Sequence, residues 1–450
     1  MSVETEAVVT PAGPNPWPTA PQTDLKFAVL QLGARLHYAV PAVLQRANML
    51  RAFYTDAVGD LGMLNVMRRL IPPAVRPKQV RRLFGRVLPK EVPRDAVISA
   101  PGRSIAQATL AKLFGAGRLT QLTAPEPWLK KTIVDDDFRG ANALYSLDNG
   151  DREVIEAASR RRMFICYEQI ICAHVGRIMR EERERFPDIE RQDDEEFVEA
   201  GIRADVDVWN MSDLVLAASE FSRTSMIRLG CAPEKIAVVP YGVDASWFEV
   251  PPRPVPGRIL FVGTVGLRKG NHYLAEAYRI LRERSVDVEF RVAGPYDPAL
   301  VAAPLFQGPN YLGQVPRAQI KDEFAQADVF VLPTIAEGFG LVHLEAMACG
   351  VPVVTTPNCG SLVRDGVDGH IVPIRDPHAL ADRIEALVRD RAERQRMSQN
   401  ARQRAQQFTW DDYSATLVRA ILRAEASSGR SAVMAPGLRT NVGPAVALPR

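Results

Sequence analysis

Short apolar runs alternate with helix-like segments along most of the chain. The runs are rich in β-branched residues and are bounded by glycine, proline or polar residues, which is typical of buried parallel strands. They lie at residues 27–32, 96–99, 143–147, 213–220, 235–239, 258–262, 288–293, 327–332 and 351–355. Because helical patterns separate successive runs, the sequence predicts an α/β protein built from βαβ units with parallel sheets.

The opening of the chain predicts a strand, a glycine loop and a helix in that order. The run at 27–32 is followed by Gly33, and residues 40–50 have a helical pattern. Many α/β domains that bind a ligand at the end of their first strand begin in this way.

A proline-rich segment divides this pattern into two similar halves. Residues 250–257 contain four prolines, which stiffen a linker. We therefore predict an N-terminal domain over 25–247, a linker over 248–257, a C-terminal domain over 258–407 and a final helix over 408–425. Residues 1–24 and 426–450 show little periodicity and are expected to be disordered tails.

The most informative loop, 333–340, joins an apolar run to the helix that follows it. Gly338 and Gly340 allow its backbone to approach a ligand closely, and the helix N-terminus favours an anion. Glu337 and Glu345 lie eight residues apart, and a carboxylate accepts hydrogen bonds from sugar hydroxyls. A loop that suits phosphate and hydroxyl groups together indicates a sugar nucleotide as ligand.

A second glycine loop follows the run at 258–262. It carries Arg268 and Lys269 side by side, between Gly263 and Gly270. Because Arg binds two phosphate oxygens at once and Lys provides a compact charge, this loop suits a diphosphate. A solvated basic loop is the alternative interpretation.

Residues 337–354 read E-G-F-G-L-V-H-L-E-A-M-A-C-G-V-P-V-V, which resembles the E-x7-E signature of the family 4 retaining glycosyltransferases. The resemblance implies the GT-B fold, in which two Rossmann-like doubly wound domains face a central cleft and a C-terminal helix returns to the first domain. It extends over about 206–424 and includes V-P-Y-G-V-D at 239–244, which is similar to the end of that family's N-terminal half.

The resemblance also implies roles for individual residues. The catalytic group would be Glu337, which contacts the donor sugar, with Arg268 and Lys269 on the diphosphate, while Glu345 would contact the ribose hydroxyls. Many members carry Arg directly after the strand glycine where this chain has Thr264, and we expect Arg268 to supply that charge. The other expected donor-binding residues are Gly338, Phe339, Gly340, Leu341, Val342, Gly263 and Val315.

On the acceptor side, the resemblance points to Gly33 and to polar residues near 164–174. Glu168 and His174 are candidates for holding an acceptor. The alternative is structural: Glu168 would anchor a helix and His174 would lie at the surface.

The implied activity is that of a retaining glycosyltransferase, moving a hexose from a nucleoside diphosphate sugar to a carbohydrate or lipid-linked hydroxyl in bacterial-type polysaccharide or glycolipid assembly. The alternatives are a nucleotide-sugar epimerase of the same fold and a non-catalytic scaffold that binds a sugar nucleotide. No metal or other cofactor is expected, because the sequence has no H-E-x-x-H and the D-x-D at 205–207 falls on a predicted helix.

Composition adds limits on partners and location. The net charge of +3 gives no case for nucleic acid. Five cysteines without a CxxC pair indicate reduced thiols in a cytoplasmic protein. No signal peptide or membrane-spanning run is recognised.

Residues 68–94 are strongly basic, with nine Lys and Arg side chains against the single acid Glu91. Apolar residues are interleaved with the basic ones. This pattern is typical of a segment that lies on an anionic membrane surface, so we predict a peripheral contact with the inner face of the membrane. A solvated basic face with core anchors is the alternative.

Overall fold

The computed structural model of the protein describes residues 23–76, 78–114 and 124–428. Within these residues the strands form two separate sheets, one of seven strands and one of six, and every pair of neighbouring strands is parallel. The prediction of an α/β protein with parallel sheets is therefore confirmed.

The first sheet has the spatial order β3-β2-β1-β4-β5-β6-β7. The chain runs outward from β1 to β3, then returns to the other side of β1, so the order reverses between β1 and β4. Its strands are β1 Phe27–Leu30, β2 Leu50–Thr55, β3 Val97–Ser99, β4 Ala143–Ser146, β5 Phe164–Gln169, β6 Leu214–Ala217 and β7 Ile236–Val238.

The second sheet repeats this plan with the order β10-β9-β8-β11-β12-β13, and its reversal lies between β8 and β11. Ligands of open α/β sheets bind at such a reversal, outside the carboxyl ends of the strands. The strands are β8 Arg258–Val262, β9 Glu289–Ala293, β10 Asn310–Gly313, β11 Val329–Leu332, β12 Val353–Thr355 and β13 Gly369–Ile371.

Helices connect the strands, and the strands between them are buried. Every residue of β1, β4, β6 and β11 is buried, as expected when helices cover both faces of a parallel sheet. The helices are α1 Ala39–Arg46, α2 Gly62–Leu70, α3 Lys78–Phe84, α4 Pro101–Phe114, α5 Pro125–Asp135, α6 Arg152–Arg160, α7 Val175–Arg185, α8 Glu195–Met211, α9 Glu220–Arg228, α10 Asn271–Glu283, α11 Pro298–Ala302, α12 Arg317–Gln326, α13 Leu341–Ala348, α14 Pro377–Arg389, α15 Arg391–Ala405 and α16 Trp410–Ser427.

One predicted element is wrong. The helix expected over 40–50 ends at Arg46, and Leu50 already begins β2. Asn48 adopts a left-handed conformation with φ of +57°, which turns the chain back so that the Met49 N–H donates to the Leu44 carbonyl at 2.7 Å. The turn makes room for β2 beside β1, a strand that the sequence did not predict.

The final helix α16 packs against the part of the chain that forms the first sheet. Thr409 caps it, since its hydroxyl accepts from the Asp412 N–H at 3.2 Å. Arg46 of α1 pairs with Asp411 at 3.4 Å, and the Thr23 hydroxyl donates to Glu425 at 2.7 Å. The proposed linker lies against the second sheet's helices, where the Arg253 N–H donates to the Ala325 carbonyl at 2.8 Å.

The domain boundaries drawn from the sequence stay a proposal. The two tails proposed from the sequence lie almost entirely in residues 1–22 and 429–450, outside the described part of the chain. At the C-terminal boundary, α16 continues to Ser427, two residues past the expected end. Within the described ranges no helix is both long enough and apolar enough to cross a membrane.

Candidate active site at the carboxyl edge of the second sheet

Two loops meet where the second sheet reverses its order. One loop, 263–270, follows β8, and the other, 333–340, follows β11. Because β8 and β11 are adjacent and parallel, their carboxyl ends emerge side by side. The arrangement brings together the two loops that the sequence had singled out separately.

Gly270 allows this close approach. Its φ is +71°, and a Cβ atom there would lie 2.0 Å from the Pro333 carbonyl oxygen. The Arg268 carbonyl accepts from the Ile335 N–H at 2.8 Å and from the Thr334 hydroxyl at 3.0 Å. The backbone of one loop is thus fixed against the other before any side chain is considered.

The two loops enclose a charged cluster of Arg268, Lys269 and Glu337. A guanidinium nitrogen of Arg268 lies 2.9 Å from Glu337 Oε2, and Lys269 Nζ bonds to the same oxygen. Burial alone would raise the pKa of Glu337, but Lys269 and Arg268 outweigh it and hold that pKa below its usual value. Glu337 is therefore ionised at neutral pH, and two cations facing one carboxylate give the cluster a formal charge of +1.

Gly338 is held by residues from the first sheet. Its carbonyl accepts hydrogen bonds from the hydroxyls of Ser219 at 2.6 Å and Ser222 at 3.1 Å. A Cβ atom at Gly338 would lie 2.0 Å from the Ile170 carbonyl oxygen, which follows β5. Phe339 packs edge-on against Tyr241 with ring centroids 5.3 Å apart. The expected donor loop is therefore part of the contact between the two sheets.

The N-terminus of α13 lies at the end of this loop. The Gly340 N–H donates to the Cys359 carbonyl at 3.1 Å, and the Leu341 N–H points to the Phe339 carbonyl at 2.9 Å. Of the amides of Gly340, Leu341 and Val342, only that of Val342 has no backbone carbonyl as acceptor within the described ranges. The helix end therefore offers fewer free donors than the sequence suggested.

The remaining expected donor residues lie around the same edge. Glu345 is half-buried on α13, four residues after the helix begins at Leu341, and Val315 is half-buried after β10. Gly263, at the end of β8, approaches Gly294, at the end of β9, so closely that a Cβ atom on Gly294 would lie 1.9 Å from the Gly263 carbonyl oxygen. These positions surround the charged cluster along the carboxyl ends of β8, β9, β10 and β11.

Gly33 lies at the reversal of the first sheet. Its φ is +73°, and its N–H donates to Asp56 at 2.8 Å. The amide of buried Gln31 donates to the carbonyls of Gly33 and Arg35 at 3.2 and 3.1 Å. Gln31 and Asp56 shape this loop and were not selected from the sequence, because a single Gln or Asp after a strand carries no distinctive signal.

His174 and Glu168 have structural partners within the first half. His174 Nδ1 bonds to the Ser225 hydroxyl on α9, and burial lowers the pKa of its ring, with Arg228 and Arg177 adding to the effect. Glu168 is 3% exposed, and its oxygens accept from the hydroxyls of Tyr145 and Tyr241. The partners of Glu168 are tyrosines of β4 and of the segment after β7 rather than a helix, and its assignment to an acceptor stays a prediction.

Two further carboxylates on the first half reach the second half, and sequence reasoning missed both. The Leu267 N–H, beside Arg268, donates to Glu190 at 2.8 Å. Glu182, fully buried on α7, accepts from His272 at 2.8 Å and from Arg375 at 2.6 Å. Their segment reads as an ordinary charged helix, and no local pattern indicates partners that lie 77 to 193 residues away.

The D-x-D at 205–207, which was not expected to bind a metal, lies on a helix as predicted. Asp205 and Asp207 lie on α8, where Asp207 pairs with Arg152 at 2.6 Å. In the described part of the chain, no group of three or more His, Cys, Asp and Glu side chains is arranged to hold a metal ion. The expectation that no metal is required stays a prediction.

Known proteins resemble this chain mainly over its C-terminal half. Residues 247–404 match the family described as "Glycosyl transferases group 1". The chain is 32% identical over 243 residues to the D-inositol 3-phosphate glycosyltransferase of Xylanimonas cellulosilytica, covering 46% of this chain and 56% of that protein. It is 34% identical over 199 residues to the putative colanic acid biosynthesis glycosyltransferase WcaL of Escherichia coli K12, covering 40% and 48%. The chain thus spans about half the length of these relatives.

Solved structures share the whole architecture. HepE of Anabaena, in complex with UDP and glucose, superposes with a TM-score of 0.57 at 18% identity, covering 89% of this chain and 100% of that one. Sucrose-phosphate synthase of Thermosynechococcus elongatus gives a TM-score of 0.60 at 17% identity, covering 90% and 100%. At such identities the likeness shows the fold, which is GT-B as predicted. The match of residues 247–404 to the glycosyl transferases of group 1 agrees with the family resemblance drawn from the E-x7-E string.

Proposed function

We propose that the protein is a retaining glycosyltransferase, moving a hexose from a nucleoside diphosphate sugar to a hydroxyl acceptor in polysaccharide or glycolipid assembly. The family match over 247–404 supports the transferase. The names of two relatives, which refer to the biosynthesis of colanic acid and of amylovoran, support polysaccharide assembly. UDP and glucose in the HepE structure support a nucleotide sugar as donor.

The observation that carries the proposal is the cluster of Arg268, Lys269 and Glu337 at the reversal of the second sheet. A diphosphate is anionic, and charge-assisted hydrogen bonds from Arg and Lys are the strongest that a protein offers it. Among the described residues, Glu337 is the one carboxylate within 4.0 Å of Arg268 or Lys269, so the pair keeps an excess positive charge at the place where open sheets bind ligands. Lys269 is only 14% exposed, so its charge is weakly screened by water.

In this proposal the cations change partners when the donor binds. Arg268 and Lys269 turn from Glu337 to the diphosphate, and the ionised carboxylate becomes available to accept from hydroxyls of the donor sugar. During transfer the bond between the anomeric carbon and the diphosphate oxygen breaks, and negative charge grows on that oxygen. Preorganised cations lower the barrier most when they face developing charge.

The acceptor hydroxyl would attack from the face that the diphosphate leaves, which retains the anomeric configuration. Its oxygen forms the new bond to the anomeric carbon, and its proton passes to the departing phosphate oxygen. Glu337 is not assigned as a covalent nucleophile, because in this proposal its carboxylate accepts hydrogen bonds from hydroxyls of the donor sugar. Contacts such as those from Ser219 and Ser222 to Gly338 would hold the two halves together and exclude water.

The experiment measures release of free nucleoside diphosphate from a panel of UDP, GDP, ADP and dTDP sugars. Glu337→Gln keeps the size of the side chain and removes its charge, and we expect release to fall about a hundredfold or more. Binding of the nucleoside diphosphate, followed by thermal shift, should persist because Arg268 and Lys269 remain.

Glu289→Gln is the matched control. Glu289 also bridges two cations, Arg258 at 2.9 Å and Arg291 at 3.0 Å, but at the start of β9, on the amino edge of the same sheet. It should leave release unchanged. Equal release from Glu337→Gln and wild type would contradict the proposed site, and an epimerised sugar without diphosphate release would identify an isomerase instead.

A further inference from the structure

We propose that α2 and α3 form a docking face for an anionic lipid bilayer, made of Met63, Val66, Leu70, Val75, Arg69, Arg81 and Arg82. The sequence predicted membrane contact over 68–94 from its basic charge. The structure extends the apolar part of the contact toward the N-terminus, to Met63 and Val66, which the basic stretch did not include. The proposal does not depend on the glycosyltransferase activity.

The apolar part of the docking face is a single stripe. Met63, Val66 and Leu70 are spaced by three and four residues on α2, which places them on one side of a helix. Their exposures are 62%, 55% and 75%, and Val75 in the next short turn is 67% exposed. Leu64 points the other way and is 1% exposed against Phe84 and Ala57. The helix is therefore folded onto the protein by one side and presents apolar side chains on the other.

This concentration is unusual within the described residues. Four of the eight large apolar side chains that are exposed there fall within residues 63–75. Single exposed apolar residues are normal on a protein surface, whereas a contiguous group marks an interaction site.

Positive charge flanks the stripe. Arg69, Arg81 and Arg82 are exposed, and none of them has an acidic partner within 4.0 Å in the described part of the chain. Other arginines of the basic segment are used internally. Arg86 pairs with Asp56 at 2.5 Å and Arg94 with Asp60 at 2.7 Å, while Arg76 donates to the carbonyls of Ile71 and Arg68.

An apolar stripe flanked by arginines matches the surface of an anionic bilayer. The apolar side chains can enter the boundary of the acyl chains while the guanidinium groups remain among the headgroups. A second copy of this chain is a poorer occupant, because a symmetric contact would place the same arginines opposite each other. The three exposed arginines likewise disfavour a basic partner.

The docking face is joined to the carboxyl edge of the first sheet. Asp56, at the end of β2, binds both Arg86 and the N–H of Gly33. Gly59 packs against the α3 backbone so closely that a Cβ atom there would lie 2.6 Å from the Leu83 carbonyl oxygen. A bilayer at this face would lie beside the Gly33 loop. If the proposed function holds, this placement suits an acceptor carried on a lipid.

The test is sedimentation of the full chain with vesicles of phosphatidylcholine alone and of phosphatidylcholine mixed equally with phosphatidylglycerol. We expect binding only to the anionic vesicles. Arg81→Gln with Arg82→Gln should weaken partitioning about thirtyfold at low salt, since each basic residue near such a surface contributes about fivefold. Met63→Ser, Val66→Ser and Leu70→Ser together should weaken it by roughly tenfold, and this loss should persist at high salt.

Two controls match these variants elsewhere on the surface. Phe197→Ser removes an apolar side chain that is 73% exposed on α8, and Arg419→Gln with Arg423→Gln removes two exposed charges from α16. Both should bind vesicles as wild type does. No binding of wild type to anionic vesicles, equal losses in the controls, or a dimer that dissociates on changing the stripe would overturn the proposal. Glu337→Gln should bind the anionic vesicles as wild type does, and a loss of binding in this variant would contradict a docking face that is separate from the charged cluster.

Discussion

The two sheets reverse their strand order in the same way, yet their carboxyl edges at the reversal are built differently. At the second sheet, between β8 and β11, the loops are joined by charged side chains and by the tight approach of Gly270 to Pro333. At the first sheet, Gly33 has open space around it, and its loop is held by hydrogen bonds from Gln31 and to Asp56.

The carboxylates at the two edges also differ in their partners. Glu337 is held by cations that a phosphate could attract away, so its contacts are exchangeable. Glu168 accepts hydrogen bonds from tyrosine hydroxyls in the core. Asp56 pairs with Arg86 and accepts from a backbone N–H. The comparison teaches that the same topology can present a charged edge suited to an anion beside an edge whose charges are satisfied internally.

The largest expected effect is a difference in stability between two variants that each add one methyl group, one at each edge. Gly270 and Gly33 have nearly the same φ, +71° and +73°, so Gly→Ala carries a similar backbone cost of about 1 kcal/mol at each. Gly270→Ala adds a clash with the Pro333 carbonyl, and we expect a total loss of at least about 3 kcal/mol. Gly33→Ala should lose only the backbone part. Urea denaturation of the two variants measures the difference.

Equal destabilisation of the two variants would show that the loops of the second sheet can separate without cost. In that case the contact between Gly270 and Pro333 would not preorganise the charged cluster. The slope of the denaturation curve should remain that of wild type in both variants, since a changed slope would indicate altered compactness rather than a local clash.

A smaller loss of folding stability is expected at low pH, and it comes from a histidine at the second edge. His343 on α13 is fully buried, and its Nε2 accepts from the Leu362 N–H at 3.2 Å. Burial lowers the pKa of the ring from 6.5 to about 3. As pH falls below 6.5, the unfolded chain takes up a proton that the folded protein refuses, so stability is lost. Between pH 7 and pH 5 this loss amounts to about 2 kcal/mol.

His343→Gln keeps an acceptor for Leu362 and removes the titration. The variant should therefore lose about 2 kcal/mol less than wild type between these two pH values. The difference is the quantity to measure, because burial raises the pKa of Asp151 and Asp205 to about 6, which stabilises the fold as pH falls. His378→Gln, at an exposed position of α14, is the matched control. The same dependence in all three proteins would contradict a neutral buried His343.

The second edge could be predicted from the sequence, whereas the first edge could not. The charged edge is encoded by two short strings, at 263–270 and 337–345, whose spacing and glycines are visible without the fold. The alternation of apolar runs was sufficient for the α/β class. The strand β2 was not predicted, for two reasons. The helical pattern of α1 continues through residues 47–50, and the exposed Arg51 interrupts the apolar run.

The first edge could not be predicted because its contacts join distant parts of the chain. Glu168 was a reasonable candidate as a charged residue near a strand end, but Tyr145 and Tyr241, 23 and 73 residues away, bury it. Glu182 and Glu190 likewise find partners only in the folded protein. Short sequence motifs indicate the groups that the chain presents to a ligand. They say little about charged side chains whose partners lie far away in the sequence and are brought close only by folding.

The smallest expected effect tests the first edge directly. Asp56 and Asp60 lie four residues apart and have similar partners: each accepts from one arginine and one backbone N–H, and Asp56 accepts in addition from the Thr55 hydroxyl at 3.4 Å. Asp56 binds Arg86 and Gly33, and Asp60 binds Arg94 and Leu88. We expect Asp56→Asn and Asp60→Asn each to destabilise the protein by about 1 kcal/mol, as measured by urea denaturation.

Only Asp56 reaches the Gly33 loop, so the two variants should differ in function and not in stability. Under the proposed activity, Asp56→Asn should raise KM for the acceptor several-fold while leaving KM for the nucleotide sugar unchanged, and Asp60→Asn should alter neither. A shift of the donor KM in Asp56→Asn would mean that the first edge also contacts the donor. The division into an anion-binding edge and an acceptor edge would then fail, because one carboxylate would serve both ligands.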